Sequence, residues 1–213
     1  MSGALQAVFQ NQRGFSTTPT IGSAYGGGYF AGQISTAGNG IADFNLVVGP
    51  VASAQSNKAI KTVATSTAGT SSLIDGPTNS SNMNNILHPA GQFCEGLTIG
   101  GFSDWYMPAK NELEVCYYNL KPSTKNNNNS YGINANAVPA RPGKYTASIP
   151  PQTTSADFKT TGTEDFFVDN YWSSTEFSAS SGWLTYFGDG DENVSGVPKT
   201  SSYYVRAVRR VAV

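Results

Sequence analysis

GGFSDWYMPAKNELEVCYYNL, residues 100–120, is the stretch from which the fold is read. A glycine pair opens it, a strand-like aromatic run follows, Pro108 stops that run, and an amphipathic helix begins. Leu113, Cys116, Tyr117 and Leu120 stand at i, i+3, i+4 and i+7, which places them on one helical face. Pro108 suits the first helical position, where its missing N–H is not needed, and Lys121-Pro122 closes the helix. A helix with one apolar stripe must bury it against a sheet or a second helix. The rest of the chain reads as the supply of those partners.

The chain has 213 residues, with 13 basic and 14 acidic side chains. That balance argues against a nucleic-acid footprint. Its 23 glycines and many Ser, Thr and Asn residues point to a turn-rich, β-rich fold. No run approaches the ~18 apolar residues of a membrane span. The first residues lack a basic segment followed by an apolar run, so no secretory signal is expected. Cys94 and Cys116 read as two small core residues, with a single bridge between their helices as the alternative.

Working outward, residues 1–20 form a separate attachment segment in which Leu5, Val8 and Phe9 make a short helical stripe, an expected anchor. Residues 21–213 form the domain. Tyr25 to Ile34 and Asp43 to Val48 read as a hairpin joined by Ala37-Gly38-Asn39-Gly40, and Gly26-Gly27-Gly28 as tight strand packing or a bulge. Lys58 to Val63 suggests a short strand and Asp75-Gly76-Pro77 a turn. A further helix spans Asn84 to Glu95 or starts at Pro89. An insertion of about 123–170 opens on Asn126 to Asn129, a low-complexity run. Short helical turns are expected at Thr154 to Phe158 and Glu164 to Val168. Tyr171 to Glu176 and Gly182 to Phe187 read as strands, Gly188-Asp189-Gly190 as a turn, and Ser202 to Val213 as one long final strand of period two.

Several chemistries are disfavoured. Asp189, Asp191 and Asn193 have the spacing of the first ligands of a calcium loop, but Val194 and Thr200 replace the required Gly and Glu, so no metal or cofactor is expected. His88 is the single histidine, it has no acidic or cysteine neighbour, and no nucleophile elbow is present. Glu112 and Glu176 are available carboxylates, but no spacing selects a catalytic pair, and no enzyme is expected. Arg206, Arg209 and Arg210 either meet an anionic ligand or are structural. Alternation favours a buried Arg209 paired with Glu176 or Glu112. Trp105 and Trp172 read as core, while Trp183 is balanced between core and surface. Aromatic and amide groups of the last third suit protein or sugar recognition.

Four pieces resemble a known family: Gly101 to Pro108, Asn111-Glu112-Leu113, Tyr171 to Glu176, and Tyr204 to Arg209. They are similar to the collagen-like-protein C-terminal (Lcl-type) adhesin domain over about residues 22–213. Gly3 to Asn11 looks like the start of bacteriophage tail-fibre proteins. The resemblance implies an α+β, C-type-lectin-like fold, with two helices packed on a twisted antiparallel sheet and a long loop region. It implies a virion protein of the tail fibre or tail tip, commonly a homotrimer. Such a protein binds a host-surface receptor, a glycan or a protein, and meets other virion proteins through its N-terminal segment. Ligand contacts then fall on Trp183, Tyr186, Asp189, Asp191, Glu192 and Asn193. A structural decoration or fibre-assembly protein without a receptor is the alternative.

Overall fold

The computed structural model describes residues 18–192 and 197–213. In chain order these hold β1 (Ala24–Tyr25), β2 (Gly28–Ile34), β3 (Phe44–Val48), α1 (Val51–Ala54), β4 (Gln55–Ala59), α2 (Gly76–Asn82), α3 (Pro89–Glu95) and α4 (Lys110–Leu120). Then follow β5 (Ala137–Val138), a 3-10 turn (Ala156–Phe158), β6 (Asn170–Glu176), β7 (Gly182–Tyr186), β8 (Ser202–Arg206) and β9 (Val208–Ala212). The first sheet runs β1-β2-β3-β9, with β5 also paired to β2, and the second runs β4-β8-β6-β7.

This corrects the expected fold class. Two helices on one twisted antiparallel sheet, the C-type-lectin-like arrangement, is not what the chain adopts. Among the described residues there are four helices and two sheets, and β6 runs parallel to β8. The cause lies at Ala207. The expected single strand from Ser202 to Val213 breaks there, because the Ala207 N–H donates to Ala54 O and its carbonyl accepts the Gly49 N–H, each at 2.9 Å. Opposite it, Gly49, Pro50 and α1 interrupt β3 and β4. Both strand pairs therefore divide at one level, β3 with β9 into one sheet and β4 with β8 into the other. Gly49 is required at this bend, since a Cβ there would lie 2.3 Å from that of Ala54.

Alternation along these strands distributes side chains between two cores. Leu46 and Val48 enter a core with Leu113, Cys116, Tyr117 and Leu120 of α4, while Val47 enters another with Trp105, Met107 and Trp172. The aromatic run divides in the same way: Trp105 and Met107 on one side, Tyr106 on the other. Tyr106 bridges Val208 with N–H···O bonds of 2.9 Å in both directions, so the run acts as a short strand beside β9. Cys94 and Cys116 are free thiols in separate cores, and burial raises the pKa of each.

The helix starts are set by local chemistry. α4 begins at Lys110, two residues later than expected, so that Ala109 is its cap and Pro108 stands just outside. Ala109 has no side-chain acceptor. Its own N–H is taken by Glu112 Oε2 at 2.8 Å, while Glu112 Oε1 accepts from the Tyr106 hydroxyl at 2.6 Å and from Arg210 at 2.8 Å. Asp75-Gly76-Pro77 is the beginning of α2 rather than a turn, with Asp75 accepting the Thr78 N–H at 3.2 Å. α3 begins at Pro89, and the short strand before α2 lies three residues earlier than expected. Gly26 and Gly27, at φ +55° and +84°, form the two-residue turn joining β1 to β2. The expected turn at Glu164 to Val168 does not form, while the 3-10 turn lies within Thr154 to Phe158.

Candidate functional site

The carboxyl end of the chain carries two different arrays of cations and rings. The arginines are internal. Arg206 is 1% exposed and donates to Gly49 O, Glu164 O, Asp165 O and Glu164 Oε2 at 2.8–3.2 Å. Arg209 forks onto both oxygens of Asp104, at 2.7 and 2.9 Å, and holds Gly26 O at 2.8 Å. That fork holds the Asp104 carboxyl below its ordinary pKa. Arg209 is thus buried and paired as expected, but with Asp104. Glu112 belongs to Arg210, and Glu176 to Lys199 at 2.5 Å. These guanidiniums are internal ties, and Glu112 and Glu176 are held by internal partners.

His88 is likewise taken up by structure. It is 4% exposed, with Nδ1 2.8 Å from Asn85 Oδ1 and Nε2 2.8 Å from Thr67 Oγ1. The carboxamide oxygen can only accept, so Nδ1 carries the proton and Nε2 accepts the Thr67 hydroxyl. Burial, then Lys61 and Lys199, lowers its pKa.

The β6–β7 hairpin carries the outward-facing chemistry. On β7, Leu184 and Tyr186 share one face and Trp183 and Thr185 the other. Trp183 and Tyr186, expected together on one ligand surface, are therefore separated. Trp183 is partly buried, edge-on to Phe177 at 5.0 Å, with Lys110 Nζ 5.0 Å over its ring. Tyr186 is partly buried with Lys125 Nζ 5.0 Å over its ring. It lines a concavity of about 220 Å³ with Asn170, Leu184, Asp191 and Val197.

The other expected contact residues divide as well. Asp189 sits in the turn, paired with Lys125 at 2.8 Å, which keeps that ammonium's pKa above its ordinary value. Asp191 accepts from Tyr131. Glu192 is 4% exposed and paired with Lys110 at 2.8 Å, so it lies behind the surface rather than on it. Burial raises its pKa against the pull of Lys110. Asn193 lies outside the described residues, as do Leu5, Val8 and Phe9. Gly190 sets the turn: at φ +75° a Cβ would meet Tyr117 at 2.5 Å. Among the described residues no group of His, Cys, Asp and Glu could hold a metal ion.

Sequence reasoning missed Asn170, Lys110 and Lys125 at this surface. The lysines are recruited from α4 and the insertion, and no local pattern marks them. The separation of Trp183 from Tyr186 was readable, because positions three apart on a strand point opposite ways.

A mixed α/β scaffold that offers rings, amides and carboxylates on its last hairpin fits an adhesin or other surface-associated protein. Residues 55–209 match the Lcl C-terminal domain, and the chain belongs to that family. No curated protein matches it. Among solved structures it is similar to a crystal structure of a fimbrial protein from Bacteroides ovatus, at 15% identity and a TM-score of 0.44. That match covers 77% of this chain and 35% of the fimbrial protein, and a likeness this loose carries no functional argument.

Proposed function

We propose that the protein is a receptor-binding adhesin whose ligand is a host-surface glycan held in the concavity beside Tyr186. The concavity itself carries the reading. Its rim combines a partly exposed ring, a carboxamide and a carboxylate over the apolar floor of Leu184. A ring supplies flat apolar area for a sugar face, and the amide and carboxylate supply directional bonds to hydroxyls. We further propose, from the tail-fibre resemblance of Gly3 to Asn11, that the carrier is a bacteriophage fibre or tail tip. There residues 1–20 would meet other virion proteins and the domain would assemble as a trimer. Catalysis has no part in this proposal.

The test is adsorption to susceptible cells. Tyr186→Ala with Asn170→Ala should reduce cell binding at least about tenfold, the equivalent of losing one or two good contacts, with an unchanged melting temperature. Full adsorption by the stable double variant would remove this surface as the receptor site.

A further inference from the structure

We propose that the Tyr186 concavity is the end of a longer groove, and that its occupant is an extended, uncharged glycan chain. This rests on the glycan reading above. Three more concavities lie in series. One of about 330 Å³ is walled by Ile21, Gln33, Asn119 and Pro139. A second of about 200 Å³ shares Ile21 and Asn119 with it and adds Gln152 and Thr154. A third of about 360 Å³ shares Pro151 and Gln152 with the second and ends at Lys125. Lys125 in turn covers the ring of Tyr186, where the fourth concavity begins. Shared walls join the first hairpin, the end of α4 and the insertion, and the Lys125 contact with Tyr186 extends the track to the last hairpin.

The walls select the class of occupant. Carboxamides at Gln33, Asn119, Asn126 and Gln152 line the track together with prolines and hydroxyls. Gln33, Asn119 and Gln152 each spend one N–H on an internal acceptor, Asn45 Oδ1, Ala31 O and Pro122 O, and each also has a carbonyl oxygen and a second N–H of the kind that matches sugar hydroxyls. The charges are already used. Lys121 is 2% exposed, and its ammonium donates to Lys125 O, to Asn127 Oδ1 at 2.7 Å and to Pro150 O at 3.5 Å. Lys125 is paired with Asp189. A polyanion needs cations whose counter-ions it can replace; in the walls of these first three concavities Lys121 is buried against neutral oxygen acceptors and the Lys125 charge is offset by Asp189. An extended peptide would seek a free strand edge. The strand that contributes Gln33 is instead paired there, Gln33 with Val138 and Ile34 with Ala137.

The experiment is titration calorimetry of the full chain with neutral oligosaccharide ladders, monomer to octamer, of glucan, mannan, galactan and N-acetylglucosamine. Affinity for one ladder should climb with length, by about tenfold or more from dimer to octamer. Ser148→Trp and Thr154→Trp, both at exposed positions, should block the middle of the track. They should abolish the gain with length and leave the shortest ligands and the melting temperature unchanged. Equal affinity at all lengths, or blocking variants without effect, overturns the groove and leaves the Tyr186 site standing. Binding to sulfated chains alone overturns the uncharged occupant. Binding to no ladder overturns the extended neutral glycan, and if adsorption also survives Tyr186→Ala/Asn170→Ala, both readings fall.

Discussion

The last two strands and the hairpin before them use the same pieces, a cation over an aromatic ring with a carboxylate partner, to different ends. Arg206 lies 4.8 Å over Phe166 and Arg209 3.8 Å over Phe102, and each also has a carboxylate at 2.7–2.8 Å. Lys110 and Lys125 lie 5.0 Å over Trp183 and Tyr186, with carboxylates at 2.8 Å. Exposure is the difference. The Arg206 side chain is 0% exposed and that of Lys125 53%. Water weakens the exposed Lys125–Asp189 pair and leaves the Tyr186 ring accessible, while the enclosed Arg206–Glu164 and Lys110–Glu192 pairs act at low dielectric; Arg209–Asp104, with Asp104 55% exposed, lies between them. At the two ends of this range, Arg206 and Lys125, scaffold and recognition surface are separated by dielectric more than by residue type.

The largest effect is expected from Arg206→Ala. The guanidinium ties Gly49, at the bend between β3 and α1, to Glu164 and Asp165 in the insertion. Its removal leaves the Glu164 carboxylate, which keeps the Val51 N–H at 2.7 Å, without its counter-ion, and several carbonyls without the guanidinium donor. Breaking a buried pair in this way costs about 3–5 kcal/mol, a large share of the 5–15 kcal/mol typical of a domain. Urea denaturation should show that loss, or the variant should fail to accumulate folded. A variant within about 1 kcal/mol of the parent would mean that the bend holds without it.

The helix of residues 110–120, both β hairpins and the core tryptophans could be read locally, because each depends on spacing within one segment. The two-sheet architecture could not. Ser202 to Val213 alternates without interruption, and its break at Ala207 is imposed by Gly49 and Ala54, more than 150 positions away in sequence. The partner of Arg209 was misread for the same reason. Burial follows from alternation, whereas Asp104 is brought in by the chain's path. At the hairpin, the strand and the turn were legible, but the placing of Lys110, Lys125 and Asn170 beside them depends on contacts between distant segments.

An intermediate effect should come from acid. In the cluster of Lys61, Lys199, Glu176 and His88, two ammoniums face one carboxylate, and the imidazole pKa is lowered from 6.5 by burial and by both lysines. Below about pH 6.5 the unfolded chain takes a proton that the folded chain refuses, so stability falls as pH drops until the folded-state value is passed. Glu112 and Glu192, whose pKa values are raised by burial, act in the opposite sense. The informative measurement is therefore a difference: the melting temperature between about pH 7 and about pH 5.5, for the parent and for His88→Gln. The parent should lose more. Parallel slopes would show that the cluster accepts the proton without cost.

The smallest effect, and the finest test of the comparison, sets Lys110→Ala against Lys125→Ala. Both lysines stand 2.8 Å from a carboxylate and 5.0 Å from a ring centre. Their surroundings differ: Lys110 and Glu192 are 14% and 4% exposed, Lys125 and Asp189 53% and 18%. Removing Lys125 should cost under about 1 kcal/mol, as for other exposed pairs. Removing Lys110 should cost more, because it leaves Glu192 buried without a counter-ion and drives its raised pKa further up. A group whose folded pKa exceeds its unfolded value gives stability below the unfolded value and loses it as pH rises through the folded one. Lys110→Ala should therefore recover on mild acidification, and Lys125→Ala should not. Equal losses at every pH would mean that burial does not set the strength of these pairs, and the division between scaffold and surface drawn from it would fail.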